Sequence, residues 1–249
     1  MKSQRFKVRS YYSEGSGSNL QKYRDVFLGG GSLWFLVKYE LVMLLASWVP
    51  GALGLLLRKL LYPTVLKEVG KGVLFGRNVM LRHPQKITIG RGTVIDEGCL
   101  LDAKGGDNRG IAIGEGCFIG RNTAVYCKDG DIVIEDGANI GMNCVLSSLN
   151  RLVVGPEVLI AADCYLVSGG GYDYTQGDAK IIDQPGDFTS HPVEVGANSW
   201  IGAKAVILDG ASVGEGSVIG AGAVVTRPVP ARSVAVGSPA RVVREIDPG

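Results

Sequence analysis

The chain has 249 residues, 37 of them glycine, and 26 Lys and Arg against 24 Asp and Glu, for a formal net charge of +2. That length allows one or two domains, but the charge is uneven: residues 1–71 hold 11 basic and 4 acidic groups (11 − 4 = +7), the remainder 15 and 20 (15 − 20 = −5). The first part is therefore expected to meet an anionic surface; its basic residues flank an apolar run and form no compact basic motif, so nucleic acid is not the expected partner.

That apolar run covers 33–57, with Lys38 and Glu40 near its start and Arg58-Lys59 closing it. Its longest uncharged stretch, 41–57, is interrupted by Pro50-Gly51 and Gly54. A spanning helix needs about 20 apolar residues, and Pro-Gly breaks a helix where it stands. A cleaved signal peptide is not expected, because the apolar segment starts some 30 residues in. The pattern predicts two short helices forming a bent segment, 33–62. One reading lays it in one leaflet of a membrane with Trp34 and Trp48 at the interface. The other makes it the cap of whatever follows, or a layer between subunits, and the two are compatible.

Downstream a six-residue beat takes over. Ile95-Asp96, Ile113-Gly114, Ile119-Gly120, Ile134-Glu135, Ile140-Gly141, Val154-Gly155 and Ile160-Ala161 all open hexads. From Val195-Gly196 the beat runs unbroken through Ile201, Ile207, Val213, Ile219 and Val225. Each hexad starts with a β-branched aliphatic, and its fifth residue is often small. Six residues supply one short strand and one turn, and three hexads close a triangular coil of 18 residues whose first-position aliphatics stack inward. The 18-residue interval from Ile95 to Ile113 reads as one coil. The 21- and 20-residue intervals that follow, Ile113 to Ile134 to Val154, predict small loops around Gly130-Asp131 and 149–151. The large break is 169–192, with Gly-Gly-Gly and Pro185 and no period; a loop of that length in a compact fold is a place to look for chemistry. The expected organisation is a helical segment, 1–71, and a β-helix domain, 72–245, carrying the extruded loop.

Five cysteines, Cys99, Cys117, Cys127, Cys144 and Cys164, make no C-x-x-C, so no zinc cluster is indicated. All but Cys127 fall on the fifth hexad position and read as small buried corner residues in a reduced, cytoplasmic setting. His83, far down the repeat, reads as structural or as a contact to the N-terminal segment.

The hexads, the segment Asn198-Ser-Trp-Ile-Gly-Ala-Lys-Ala-Val-Ile207, the segment Ile219-Gly-Ala-Gly-Ala-Val-Val-Thr-Arg227 and the ending Val236-Gly-Ser-Pro-Ala-Arg241 resemble the hexapeptide-repeat acyltransferases. The resemblance is to the sugar and polysaccharide O-acetyltransferases of the maltose and galactoside type, over about 72–245. It implies an all-β, left-handed parallel β-helix, a homotrimer, and acetyl-CoA in a groove between neighbouring subunits, with no metal. By position it implies that Ala203 and Ala221 lie along the pantetheine arm and that Thr226 and Arg227 lie near the adenine and its phosphates. Arg241 and Arg244 match the C-terminal basic residues, whose forked guanidinium suits a phosphate. Asn143 and Ser148 fall near positions that touch the sugar, although both also read as corner residues.

The chain departs from that family at the catalytic step. Acyl transfer to a hydroxyl needs a base for the proton and a donor for the oxyanion, and the family places a histidine just after the coil that enters the long loop. Here that place reads Ser168-Gly-Gly-Gly-Tyr-Asp-Tyr174, so the histidine position falls on Tyr172, or on Gly171 if the alignment slips by one. A phenol and a carboxylate such as Asp173 are poor bases near neutral pH. His191, at the loop's far end, is the remaining candidate, with Asp173 orienting its ring; as a plain loop histidine it would simply be solvated. Two histidines per chain do not match the three that hold zinc in γ-type carbonic anhydrases of the same fold. The expected function is a CoA-dependent O-acyltransferase for a glycan, lipid-linked saccharide or glycolipid, at the inner face of the cytoplasmic membrane. The alternative is a β-helix that lost the base and serves as a scaffold or regulatory subunit.

Overall fold

Residues 17–169 and 190–247 are described in the computed structural model of the protein. Hexads become strands of two to four residues that stack in three parallel sheets, the faces A, B and C of a triangular solenoid. Face A runs Glu68–Val69, Ile87–Ile89, Ile111–Ile113, Asp131–Ile134, Arg151–Val154, Val193–Val195 and Ser212–Val213. Face B runs Leu74–Phe75, Val94–Ile95, Phe118–Ile119, Asn139–Ile140, Leu159–Ile160, Trp200–Ile201, Val218–Ile219 and Ser233–Val236, then Arg241–Glu245 antiparallel to the last. Face C runs Met80–Arg82, Leu100–Asp102, Ala124–Cys127, Val145–Ser148, Tyr165–Ser168, Val206–Ile207 and Val224–Val225. The solenoid thus begins at Glu68, ahead of residue 72, where the repeat becomes legible.

The core is the column of aliphatics the beat predicted: Ile95, Ile119, Ile140, Ile160, Ile201 and Ile219 stack on face B without solvent exposure. Burying each such side chain contributes at most about 1.5–3 kcal/mol. One register expectation is corrected. Ile95 pairs with Ile119, and Ile113 with Ile89 and Ile134, so the interval from Ile95 to Ile113 is not a coil. An excursion at 103–110 lengthens that turn of the solenoid by one hexad's worth of chain, which made two faces look like one. The small loops expected near 130 and 149–151 are present at 128–130 and 149–150.

Every turn from face A to B, and every one from B to C, has four residues, for example 120–123, 141–144 and 214–217. The third turn residue is left-handed throughout: Asn78, Asn122, Asn143 and Asp163 join the glycines there, as do Glu157, Asn198 and Lys204. Short amides tolerate that region because their side chains bond locally. The fourth turn residue is buried and points inward, and where it is Ser, Thr or Cys it donates to a carbonyl of the next coil. Thr123 Oγ1 donates to Gly141 O at 2.8 Å and Ser199 Oγ to Gly214 O at 3.0 Å. The cysteines do the same: Cys99 to Gly120 O at 3.2 Å, Cys117 to Glu135 O and Cys144 to Ala161 O at 3.1 Å, Cys164 to Gly202 O at 3.2 Å. Burial pushes the Cys99 thiol up to about 11 and Cys127 up to about 12, so these are inert packing groups.

Three helices close the open end: α1 (Asn19–Leu28), α2 (Leu33–Ala46) and α3 (Gly51–Leu61). Ser18 and Ser32 cap α1 and α2 by accepting from Gln21 N at 3.2 Å and Phe35 N at 3.1 Å. The break between α2 and α3 falls at Pro50-Gly51, as expected. Among the described residues no single helix is long and apolar enough to cross a membrane. The cap is anchored by buried polar groups. Arg58, 2 % exposed, donates Nε to Phe75 O at 2.8 Å and Nη1 to Ala46 O at 3.0 Å and Val49 O at 2.8 Å. Tyr39 and Tyr62 donate to Leu81 O at 2.7 Å and Val79 O at 3.2 Å. His83 is structural and belongs to this junction: its ring Nδ1 meets Asp102 Oδ1 at 2.9 Å and its backbone N donates to Phe27 O at 2.9 Å.

Candidate active site

All departures from the four-residue turn lie on one edge, where face C passes to face A: 103–110, 128–130, 149–150 and 169–192. The described ones begin one above another, so among the described residues this edge is the irregular one while the other two stay regular. The mouth of the long loop is built from the residues that flank it. Ser168 Oγ donates to His191 O at 2.9 Å, and Asn150 Nδ2 donates to Ser190 O at 2.7 Å. A Cβ added at Gly169 would come within 2.9 Å of Ser190 Cβ, so entry and exit touch. This is the proximity the solenoid geometry predicted for His191.

His191 is exposed and its backbone is fixed from the next coil. Its N–H donates to Asp209, at 2.9 Å to Oδ1 and 3.1 Å to Oδ2. Gly210, at φ 72°, lies against the His191 side chain, and a Cβ there would approach His191 Cβ at 3.3 Å. Asp209 and Gly210 were missed by sequence reasoning; the signal was an acid in the turn of the regular run that follows Val206–Ile207 and joins face C to face A. Tyr172 and Asp173 lie outside the described residues.

The candidate cofactor residues fall into two groups. Thr226 and Arg227 follow Val224–Val225 on the same edge as His191, with the Asp209-Gly210 turn on the level between them, about 10 Å up the stack at ~4.8 Å per coil. Ala203 and Ala221 sit one coil apart on the neighbouring edge, in the turns between faces B and C. The terminal segment joins them there: Val224 N donates to Gly237 O at 3.0 Å and Ala240 N to Val224 O at 2.8 Å. A Cβ added at Gly222 would meet nothing within 4 Å, so the backbone at that corner is open to a ligand. Arg241 continues from that segment, exposed, while Arg244 lies farther along face B opposite Val234. One chain therefore does not bring the two groups into a single pocket.

The two sugar candidates also separate. Asn143 is exposed and holds a corner by its left-handed backbone, φ 57°. Ser148 is buried on face C, in register between Cys127 and Ser168, with its Oγ unpartnered among the described residues. Its hydroxyl faces the interior, which takes it off the surface a sugar would touch.

Known proteins share this architecture. The bacterial transferase hexapeptide model (six repeats) matches residues 192–227, and the hexapeptide repeat of succinyl-transferase matches 110–148. Two stretches of the chain thus carry the hexapeptide repeat found in these transferases. The chain is 31 % identical over 134 residues to a probable acetyltransferase of Mycobacterium tuberculosis, covering 54 % of this chain and 44 % of that protein. To the galactoside O-acetyltransferase of Escherichia coli it is 38 % identical over 116 residues, 46 % of this chain and 55 % of that one. The chain thus spans about half the length of the curated relatives it matches. Among solved structures, the N-acyltransferase AntD from Bacillus cereus, in complex with dTDP and 3-hydroxybutyryl-CoA, superposes with a TM-score of 0.53. It is 21 % identical, over 81 % of this chain and 91 % of that one, and so speaks to the fold alone.

Proposed function

We propose that this hexapeptide-repeat protein is an acetyl-CoA-dependent O-acetyltransferase that modifies a hydroxyl of a lipid-linked saccharide at the cytoplasmic face of the membrane, as a homotrimer. The observation that carries the reading is the loop mouth: a histidine placed by Ser168 and Asp209, two coils from a turn on the same edge that holds Thr226 and Arg227. Relatives named acetyltransferases support the reaction class. The separation of the small-residue edge from the loop edge supports a groove completed by a neighbouring subunit, with Ala203 and Ala221 offering backbone to the pantetheine arm.

In this reading acetyl-CoA supplies the thioester and His191 replaces the family's earlier loop histidine. His191 removes the acceptor hydroxyl proton as its oxygen attacks the thioester carbonyl. The C–S bond then breaks, and the CoA thiolate takes the proton back from the imidazolium. Thr226, Arg227 and Arg241 hold the nucleotide end.

Purified protein is assayed by release of free CoA thiol with lipid-linked and free saccharides. His191→Ala is expected to lower kcat by about 100-fold or more, the usual range for a general base. Full turnover in that variant would move the base elsewhere, and no thiol release with any acceptor would favour the scaffold reading.

A further inference from the structure

We infer that the solenoid stands end-on on an anionic bilayer, with α2 and α3 lying in the interface, and acetylates a saccharide hydroxyl roughly 20–25 Å out from the lipid. The inference rests on the transferase and membrane reading above and deepens it by naming where along the acceptor the modified sugar lies.

The posture follows from hydrogen-bond directions. In a stack of parallel coils the backbone carbonyls point along the axis. The carbonyls of Phe75, Val79 and Leu81 belong to the first coil, which has a neighbour on one side only. They are taken by Arg58, Tyr62 and Tyr39 of the cap, and Asn78 N donates in turn to Ser47 O at 2.7 Å. The cap helices therefore lie across the axis, and whatever they present to solvent faces away from the stack. What they present is apolar: Trp34 is 75 % exposed, Leu44 66 %, Trp48 and Leu53 62 %, and Leu60 60 %, with Leu41 beside them. A patch of that extent marks an interaction surface.

Charge selects its occupant. A groove of about 400 Å³ at the junction of cap and first coil carries Lys59 and Lys71. The one carboxylate on α2 and α3, Glu40, is held by Tyr23 Oη at 2.7 Å. A basic rim around an apolar face suits the interface of an anionic bilayer, whereas a second copy docked through the same face would set like charges against each other.

The height is then a matter of counting. The long loop leaves face C after Tyr165–Ser168, four steps from Met80–Arg82, or about 19 Å at ~4.8 Å per coil. The helical layer adds about 10 Å, of which 5–10 Å sinks into the headgroup region. A hydroxyl on the lipid or on its first sugar lies below the loop mouth. One several sugars along a lipid-linked chain reaches it.

Full-length protein carrying one added surface thiol tests the posture, because all five native thiols are buried. Arg91→Cys and Glu215→Cys sit in equivalent face A to B turns, five coils apart, about 24 Å along the axis. Each is labelled with a fluorophore and bound to phosphatidylglycerol-containing vesicles bearing headgroup energy acceptors. The expected result is that both float with vesicles and the label at 215 lies about 24 Å farther from the headgroups than the label at 91. Equal distances would overturn the end-on posture while leaving membrane docking intact. Failure to float, or flotation unchanged in Trp34→Glu/Leu44→Glu, would overturn the docking on which the proposal rests. Equal turnover of a single-sugar glycolipid and of a long lipid-linked saccharide would overturn the assigned acceptor length.

Discussion

The edge between faces B and C and the edge between faces C and A are made from the same hexads, yet they behave as two materials. On the first, every turn spans four residues, puts its third residue in the left-handed region and turns its fourth inward, where Cys99, Thr123, Cys144 and Cys164 bond the next coil. On the second, the turns 83–86 and 208–211 keep the four-residue length, whereas 103–110, 128–130, 149–150 and 169–192 depart from it. The regular edge has its polar groups committed to neighbouring coils, so it has little to offer a reactant beyond open backbone. The irregular edge is where length, and with it side-chain chemistry, varies without disturbing the stack.

That contrast is sharpest for insertions. One glycine inserted between Met142 and Asn143 would move the left-handed position and the inward Cys144 out of place, and a one-residue slip turns core side chains outward. A loss beyond about 4 kcal/mol, or loss of the cooperative transition, is expected in urea denaturation. The same insertion between Gly106 and Asp107, on the irregular edge, is expected to cost under about 1 kcal/mol, since loop closure depends weakly on length. Similar losses at both places would dissolve the distinction.

The sequence carried the regular material almost completely. Hexads from Val195 onward, the inward aliphatics and the corner cysteines all stand where the beat puts them, because a six-residue period leaves one consistent packing. The irregular edge was legible only as breaks. The excursion at 103–110 passed for part of a coil because it restores the period it interrupts, so Ile95 and Ile113 looked stacked while sitting on different faces. His191 was found through chemical scarcity, whereas Asp209, its backbone partner, has no signature apart from its place in the fold. At the N-terminus the break at Pro50-Gly51 was readable. The role of Arg58 was not: in sequence it closes an apolar run, and only the folded cap shows it bonding three carbonyls.

Arg58 also sharpens a second contrast, between the cap and the coils beneath it. Removing the guanidinium in Arg58→Met leaves the carbonyls of Phe75, Ala46 and Val49 buried without donors. Unsatisfied buried groups cost about 1–3 kcal/mol each, less whatever water recovers. A loss of about 3 kcal/mol is expected, concentrated in the cap, so limited proteolysis should cut between α2 and α3 before the coils unfold. Protection of that segment equal to wild type would mean the apolar contacts alone hold the cap.

The smallest effect concerns the buried thiols, and its sign follows from their burial. Burial raises Cys99 from 9.0 to about 11, so the folded state holds that proton more tightly than the unfolded chain does. The stability this contributes is fully present below the unfolded thiol's range near pH 9 and is lost as pH rises toward 11. Cys127, raised to about 12 by burial, extends the same slope upward. The urea midpoint is therefore expected to fall between pH 9 and 11, and Cys99→Ala to flatten that fall. The variant also gives up the thiol's bond to Gly120 O at 3.2 Å, lowering stability by about 1 kcal/mol at neutral pH. Rapid alkylation of the native protein at pH 8 would contradict the burial on which both effects depend, because a thiol held near pH 11 offers almost no thiolate there.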